Sequence, residues 1–104
     1  MKTLNVLCNK STLTPLSEVL ETQETKWWRV NDETMSEVDR VVIWDEETSS
    51  KVVGKITETT YVDEPHKGWV IEFNPTPLRD GSLTRRVRWE NRPKFNMIGY
   101  AITD

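Results

Sequence analysis

The sequence predicts an α+β domain that is mainly β: a small mixed β-barrel of about five to six strands with one short N-terminal helix. Three observations predict it. From Lys26 onward the apolar residues recur with a period of two, and β-branched and aromatic residues dominate. These runs are short and are separated by turn-forming clusters such as Thr48-Ser49-Ser50 and Asp80-Gly81. One early segment, residues 13–21, has helical spacing instead.

Taken in order, residues 3–8 form the first expected strand, built on Leu4-Asn5-Val6-Leu7-Cys8. In the helical segment Thr14 suits the N-cap, Pro15 the first helical position, and Glu18 the positive end of the helix dipole. Leu16, Val19 and Leu20 fall at i, i+3 and i+4 and give one apolar stripe. Further strands are expected at 26–30, 40–45, 51–60, 68–74, 84–89 and 95–102. Asn74-Pro75-Thr76-Pro77 is expected to be an extended connection, because two prolines remove two ladder donors. Residues 75–104 either complete the barrel or form an added arm.

Composition bounds the function. The 104 residues, 36% hydrophobic and 30% charged, read as one soluble globular domain over 1–104. That length suffices to bury about two thirds of the unfolded surface without metal or disulfide support. Cys8 is the single cysteine, so no internal disulfide forms and a reducing compartment is expected. Its apolar neighbours make it a small core residue rather than a nucleophile. No secretory signal, lipidation motif or run of ~18 apolar residues is evident, so a cytoplasmic location without membrane contact is expected.

The net charge of −3 is unevenly spread. Residues 1–66 hold 7 Lys/Arg against 13 Asp/Glu, and residues 67–104 hold 7 against 4. The basic part contains Arg85-Arg86-Val87-Arg88-Trp89, an arginine cluster with an embedded aromatic, as a phosphate-contacting surface needs. Strand alternation would put Arg86 and Arg88 on one face and Arg85, Val87 and Trp89 on the other.

Several chemistries are disfavoured. His66 is the only histidine, and with Cys8 it is too few ligands for zinc. No serine has the G-x-S-x-G setting, no glycine-rich phosphate loop exists, and Asp45-Glu46-Glu47 lacks calcium-loop spacing. No metal and no cofactor are therefore expected. The notable residues are the adjacent tryptophans of Thr25-Lys26-Trp27-Trp28-Arg29-Val30-Asn31-Asp32. Alternation groups Lys26, Trp28 and Val30 on the core side, and Trp27, Arg29 and Asn31 on the other. Trp44, just after the apolar run 41–43, is placed to close a pocket bearing Trp27.

The stretch 15–47 resembles the ASCH domain family of the PUA-like superfamily. There a helix of the form F-x-x-V-x-x-G leads into G-x-K-x-x-E-x-R, followed by an N-D pair, an aromatic, a G-D turn and an apolar strand. Leu16 and Val19 match the helix, Thr22 takes the glycine's place, Arg29 the arginine's, and Asn31-Asp32 the N-D pair. Met35 stands for the aromatic, Val38-Asp39 for the turn and Val41-Val42-Ile43 for the strand. Lys51-Val52-Val53-Gly54-Lys55-Ile56 and Gly68-Trp69-Val70-Ile71 resemble later strands, and 75–104 lie outside the match. The resemblance implies a PUA-like barrel and RNA binding; some ASCH proteins hydrolyse acylated nucleosides with the motif's lysine and acidic groups. Here the lysine's place is held by Glu24 and the glutamate's by Trp27, which removes that proton-transfer pair.

The expected function is thus a non-catalytic module that binds single-stranded RNA or a modified nucleotide. Trp27, Arg29, Asn31, Asp32 and Trp44 would form the ligand pocket, and Arg85, Arg86, Arg88 and Lys94 would contact phosphates. One alternative is a phage or mobile-element protein that binds and inhibits a host protein. The other is an amidohydrolase on acylated nucleosides, with Glu24 or another carboxylate as base.

Overall fold

The computed structural model of the chain describes residues 2–8, 16–77, 79–88, 90 and 92–103. Its elements are β1 (Lys2–Cys8), α1 (Leu16–Thr22), β2 (Glu24–Trp28), α2 (Asp32–Glu37), β3 (Val38–Asp45), β4 (Ser50–Val62), β5 (Gly68–Pro75), β6 (Arg85–Arg86) and β7 (Tyr100–Thr103). Six strands run in the order β2-β5-β4-β3-β1-β7, and β6 adds to β4. The sheet is mixed, since β1 lies parallel to β3 and the other pairs are antiparallel. It curls into a half-barrel, the mainly β α+β class that the period-two pattern predicts. Among the described residues no helix is long and apolar enough to cross a membrane.

The concave side holds the core. Leu4, Val6 and Cys8 from β1, Val41 and Ile43 from β3, Val52 from β4, and Ile71 and Phe73 from β5 are buried there with Trp28. The helix α1 closes part of it with the predicted stripe: Val19 is fully buried, and Leu16 and Leu20 pack beside it. The proposed cap residues Thr14 and Pro15 lie outside the described residues. At the other end of α1, Gln23 leaves the helix with φ 56°, and its carbonyl accepts from Phe73 N–H at 3.0 Å, fastening helix to sheet.

Three one-residue insertions produce the curl. In β2, Lys26 and Trp27 together oppose Val70; in β4, Thr57 is the extra residue between Ile56 and Glu58; in β3, Asp39 falls between Val38 and Arg40. Each insertion bends its strand and raises the local twist. Beyond Thr57 the alternation of β4 is inverted, so Thr59 and Tyr61 take the inner side that Val52, Gly54 and Ile56 hold earlier.

The structure departs from the sequence reading in three places. The helix α2 occupies a stretch to which no helix or strand is assigned from the sequence. Asn31 caps it by accepting from Thr34 N–H at 2.7 Å, and Asp32 and Glu33 lie in its first turn. The strand expected at 84–89 shrinks to Arg85–Arg86. It fills the edge of β4 at Ser50–Lys51, which β5 leaves uncovered because that pairing begins at Gly54. The strand expected at 95–102 is confined to β7, where Tyr100–Thr103 pairs with β1. Within 75–104, β7 thus completes the half-barrel at one end and β6 adds to β4. After β3, the buried Asp45 organises the turn, accepting from Glu47 N–H at 3.2 Å and Thr48 Oγ1 at 2.6 Å.

Two predictions follow from the core. A Cβ added at Gly54 would overlap Phe73 Cδ2 and lie 3.1 Å from Cγ, and the ring is only 1% exposed. Gly54→Ala should therefore cost about 1–3 kcal/mol, read as a lower urea midpoint with an unchanged m-value. Burial, and secondarily the Asp45 carboxylate, push the Cys8 thiol from 9.0 to about 12. Because the native value is the higher one, the neutral thiol's contribution is fully present below the unfolded value and lost as pH climbs through the native one. At about pH 8, a disulfide reagent should label Cys8 slowly in the native protein and quickly in urea; equal rates would contradict this burial.

Candidate functional site

The adjacent tryptophans part company at the β2 bulge. Trp28 turns inward at 8% exposure, and its Nε1–H donates to Thr25 Oγ1 at 2.7 Å. Thr25 and Trp28 are both buried although three residues apart, which plain alternation forbids and the extra residue permits. Trp28, not Trp27, is therefore the next inward residue after Thr25. Trp27 takes the left-handed φ of 67°, a conformation costly for a bulky side chain. Its half-buried ring lies edge-on to His66, centroids 4.7 Å apart, with Lys26 Nζ 5.3 Å from its centroid. His66 is exposed in the β4–β5 loop.

Just past β2 the chain opens a cleft of about 890 Å³ lined by Arg29, Val30, Asn31, Asp32, Tyr61, Lys67 and Trp69. Trp69 is fixed, for its Nε1–H donates to the Val30 carbonyl at 2.7 Å. Its strand partner Tyr61, half exposed, stands at 75° to it with centroids 5.6 Å apart. The two rings make a corner on the inner side of the sheet, a position Tyr61 reaches only through the Thr57 bulge. Arg29 and Lys67 bring two exposed cations to the same cleft, and Asp32 one carboxylate. Asn31 lines it too, with its Oδ1 engaged by the α2 cap.

A second cleft, about 370 Å³, is lined by Trp44, Lys51, Arg85, Arg86, Val87 and Arg88. Trp44, Lys51 and Arg85 form one row across β3, β4 and β6. This row lies on the convex side, because Trp44 neighbours the inward Ile43 and its Nε1–H donates to Asn5 Oδ1, itself between inward Leu4 and Val6. Lys51 Nζ sits 5.2 Å from the Trp44 centroid and Phe95 meets the same ring edge-on at 6.4 Å. Arg85, Arg86 and Arg88 all line this cleft, and of the three only Arg85 and Arg86 are strand.

The sequence-predicted pocket is thus divided. Arg29, Asn31 and Asp32 share the first cleft, whereas Trp27 packs against His66 outside its lining. Trp44 does not close that pocket; it is 7% exposed and belongs to the second cleft. Arg85, Arg86 and Arg88 stay together there, and exposed Lys94 is not among the lining residues. Sequence reasoning missed Tyr61, Trp69, Lys67 and Lys51 as cleft residues. The signal for Tyr61 and Trp69 was available in their aromatic type near strand ends facing one loop, but the bulge that orients Tyr61 has no sequence signature. The chain matches no protein-family model, no curated protein and no solved structure.

On the convex side opposite the first cleft, Glu24, Glu72 and Glu58 form a row across β2, β5 and β4. A hydrogen bond with Glu58, and then the charges of Glu58 and Glu24, hold the Glu72 carboxyl above its ordinary value. A carboxyl whose native value is raised contributes stability below the ordinary range and loses it as pH rises through the raised value. Glu72→Gln should therefore raise Tm at neutral pH, with the gain disappearing in acid. At the bulge itself, a Cβ on Gly68 would lie 2.7 Å from Trp27 Cα and 2.8 Å from its carbonyl oxygen. These are backbone atoms that cannot swing away, so Gly68→Ala should cost upward of about 2 kcal/mol and shift the Trp27 emission.

Proposed function

We propose that the protein is a non-catalytic binding module for a nucleobase-bearing ligand, single-stranded RNA or a nucleotide, held in the Arg29–Lys67 cleft. The observation that carries this reading is the fixed corner of Trp69 and Tyr61 beside two exposed cations. A base stacked on one ring meets the other edge-on, and the cations take the adjoining phosphate. Asp32 at the cleft wall suits an exocyclic amine of the base. Single-stranded RNA fits best, because its splayed bases suit aromatic stacking.

The resemblance to the ASCH family supports an RNA-directed reading over a hydrolytic one. Glu24, in the lysine's place, does not line the cleft and lies 3.5 Å from Lys26 Nζ. Trp27, in the acid's place, carries an indole with no proton to exchange near neutrality. The experiment is titration of short single-stranded RNA, and of nucleosides alone, followed by tryptophan fluorescence. Trp69→Ala should weaken binding by about 1–3 kcal/mol, Trp27→Ala by clearly less, and Arg29→Ala should flatten the salt dependence. Failure of RNA to bind at low salt, or equal binding by the Trp69 variant, would defeat the proposal.

A second reading, docking to a host protein, draws on the 96–99 turn. Asn96 Oδ1 accepts from the backbone N–H of Ile98, Gly99 and Tyr100 at 2.9, 3.0 and 3.2 Å, presenting Met97 fully exposed and Ile98 half exposed. A stoichiometric partner that survives nuclease treatment and is lost on Met97→Ser/Ile98→Ser would favour it over RNA.

A further inference from the structure

We propose that the convex cleft of Lys51, Arg85, Arg86 and Arg88 is a separate phosphate site, which holds adjacent phosphates of a single-stranded nucleic-acid backbone without reading its bases. This stands independently of the aromatic cleft. Four cations surround a space of about 370 Å³, and none of them is in an ion pair among the described residues. Three are guanidiniums, whose forked donors match phosphate oxygens two at a time.

The described lining of this cleft is unsuited to bases. Trp44 is its one aromatic among the described residues, and Lys51 and Phe95 already engage that ring, which is 7% exposed. The two acids that follow Trp44 are already engaged. Asp45 is taken up by the turn at Glu47 and Thr48, and Glu46 lies 3.0 Å from Arg92 Nη1. A ligand there is held by charge, so its recognition is independent of sequence.

Geometry separates this site from the aromatic cleft. The two lie on opposite sides of the sheet and near opposite ends of β4, with Lys51 and Tyr61 about 33 Å of extended strand apart. Along the convex side, the Glu58–Glu72–Glu24 row repels a phosphate chain running down β4. A backbone seated at Arg85 is therefore steered over β6 and β3 instead.

Calorimetric titration with oligouridylate and with inorganic tripolyphosphate, at about 50 and about 200 mM salt, tests the proposal. Both should bind, tripolyphosphate should displace oligouridylate from this site, and the log-log salt slope should shrink by about 0.7 for each cation removed. Arg85→Ala/Arg88→Ala should lose at least about tenfold in affinity for both probes, whereas Arg79→Ala should not. Because these side chains are exposed, an unchanged Tm in each variant verifies folding. Neither probe binding at the lower salt, or the double variant binding normally, would overturn the site. Tripolyphosphate binding without oligouridylate would overturn the nucleic-acid backbone as its occupant. Uncharged nucleoside, read through Trp69→Ala, reports the aromatic cleft alone, so failure there is distinguishable from failure here.

Discussion

The extra residue in β2 is the constraint on which the rest of the molecule depends. With Lys26 and Trp27 both opposite Val70, the strand bends, and Trp28 enters the core where strict alternation after Thr25 would have placed Trp27. The Trp28 indole fills the concave side and reaches toward the far end of the sheet, where a Cβ on Gly99, at the threshold of β7, would lie 3.6 Å from Cζ3. Its one polar atom is satisfied by Thr25, a buried hydroxyl that itself needs a partner. Loss of either group strands the other in a dry interior, at about 1–3 kcal/mol. The same bend carries the chain on to Arg29 and Val30, and the Val30 carbonyl then fixes Trp69. Core packing and cleft geometry therefore share one backbone irregularity.

Trp27 bears the conformational cost of that arrangement. A bulky residue with positive φ is disfavoured by about 1–3 kcal/mol, and it persists only where its surroundings over-determine it. Here Gly68 admits its backbone at a distance no Cβ would tolerate, His66 meets the ring edge, and Lys26 lies near the ring. The glycine that opens β5 and the tryptophan that bulges β2 are one device, so the opening sequence of β5 is fitted to a residue about forty positions earlier.

How far this is legible in the sequence depends on the kind of signal. Period-two alternation discloses β4 and β5, short apolar runs disclose β1 and β3, and the Leu16/Val19/Leu20 stripe discloses α1, because burial writes its pattern directly into the sequence. The helix α2 escapes that logic: in six residues only Met35 is buried, and a single apolar position has no period. Its trace is the Asn31 cap followed by Asp32 and Glu33. Bulges are less visible still. They are set by three-dimensional fit, so the expected grouping of Trp27 with Arg29, and of Trp44 with both, fails although each residue's strand is assigned nearly correctly. Arg29, Asn31 and Asp32 were found together because they are close in sequence. Tyr61, Lys67 and Trp69 join them through the β4–β5 hairpin, a tertiary fact.

The charge imbalance of the sequence acquires a different meaning in the fold. In the chain it divides an acidic first part from a basic last part; on the convex side the division runs along β4. Glu58, with Glu72 and Glu24 across the ladder, makes one end acidic, and Lys51 with Arg85 makes the other basic. Like charges placed opposite one another on adjacent strands destabilise a sheet, and neither row is cancelled by the other across about 23 Å of strand, beyond the screening length at physiological salt. Two like-charged clusters that each oppose folding are thus kept apart on one surface. The basic end is concave and rich in guanidinium, whereas the acidic end is a flat ladder. An anion therefore gains at the first and is turned away at the second.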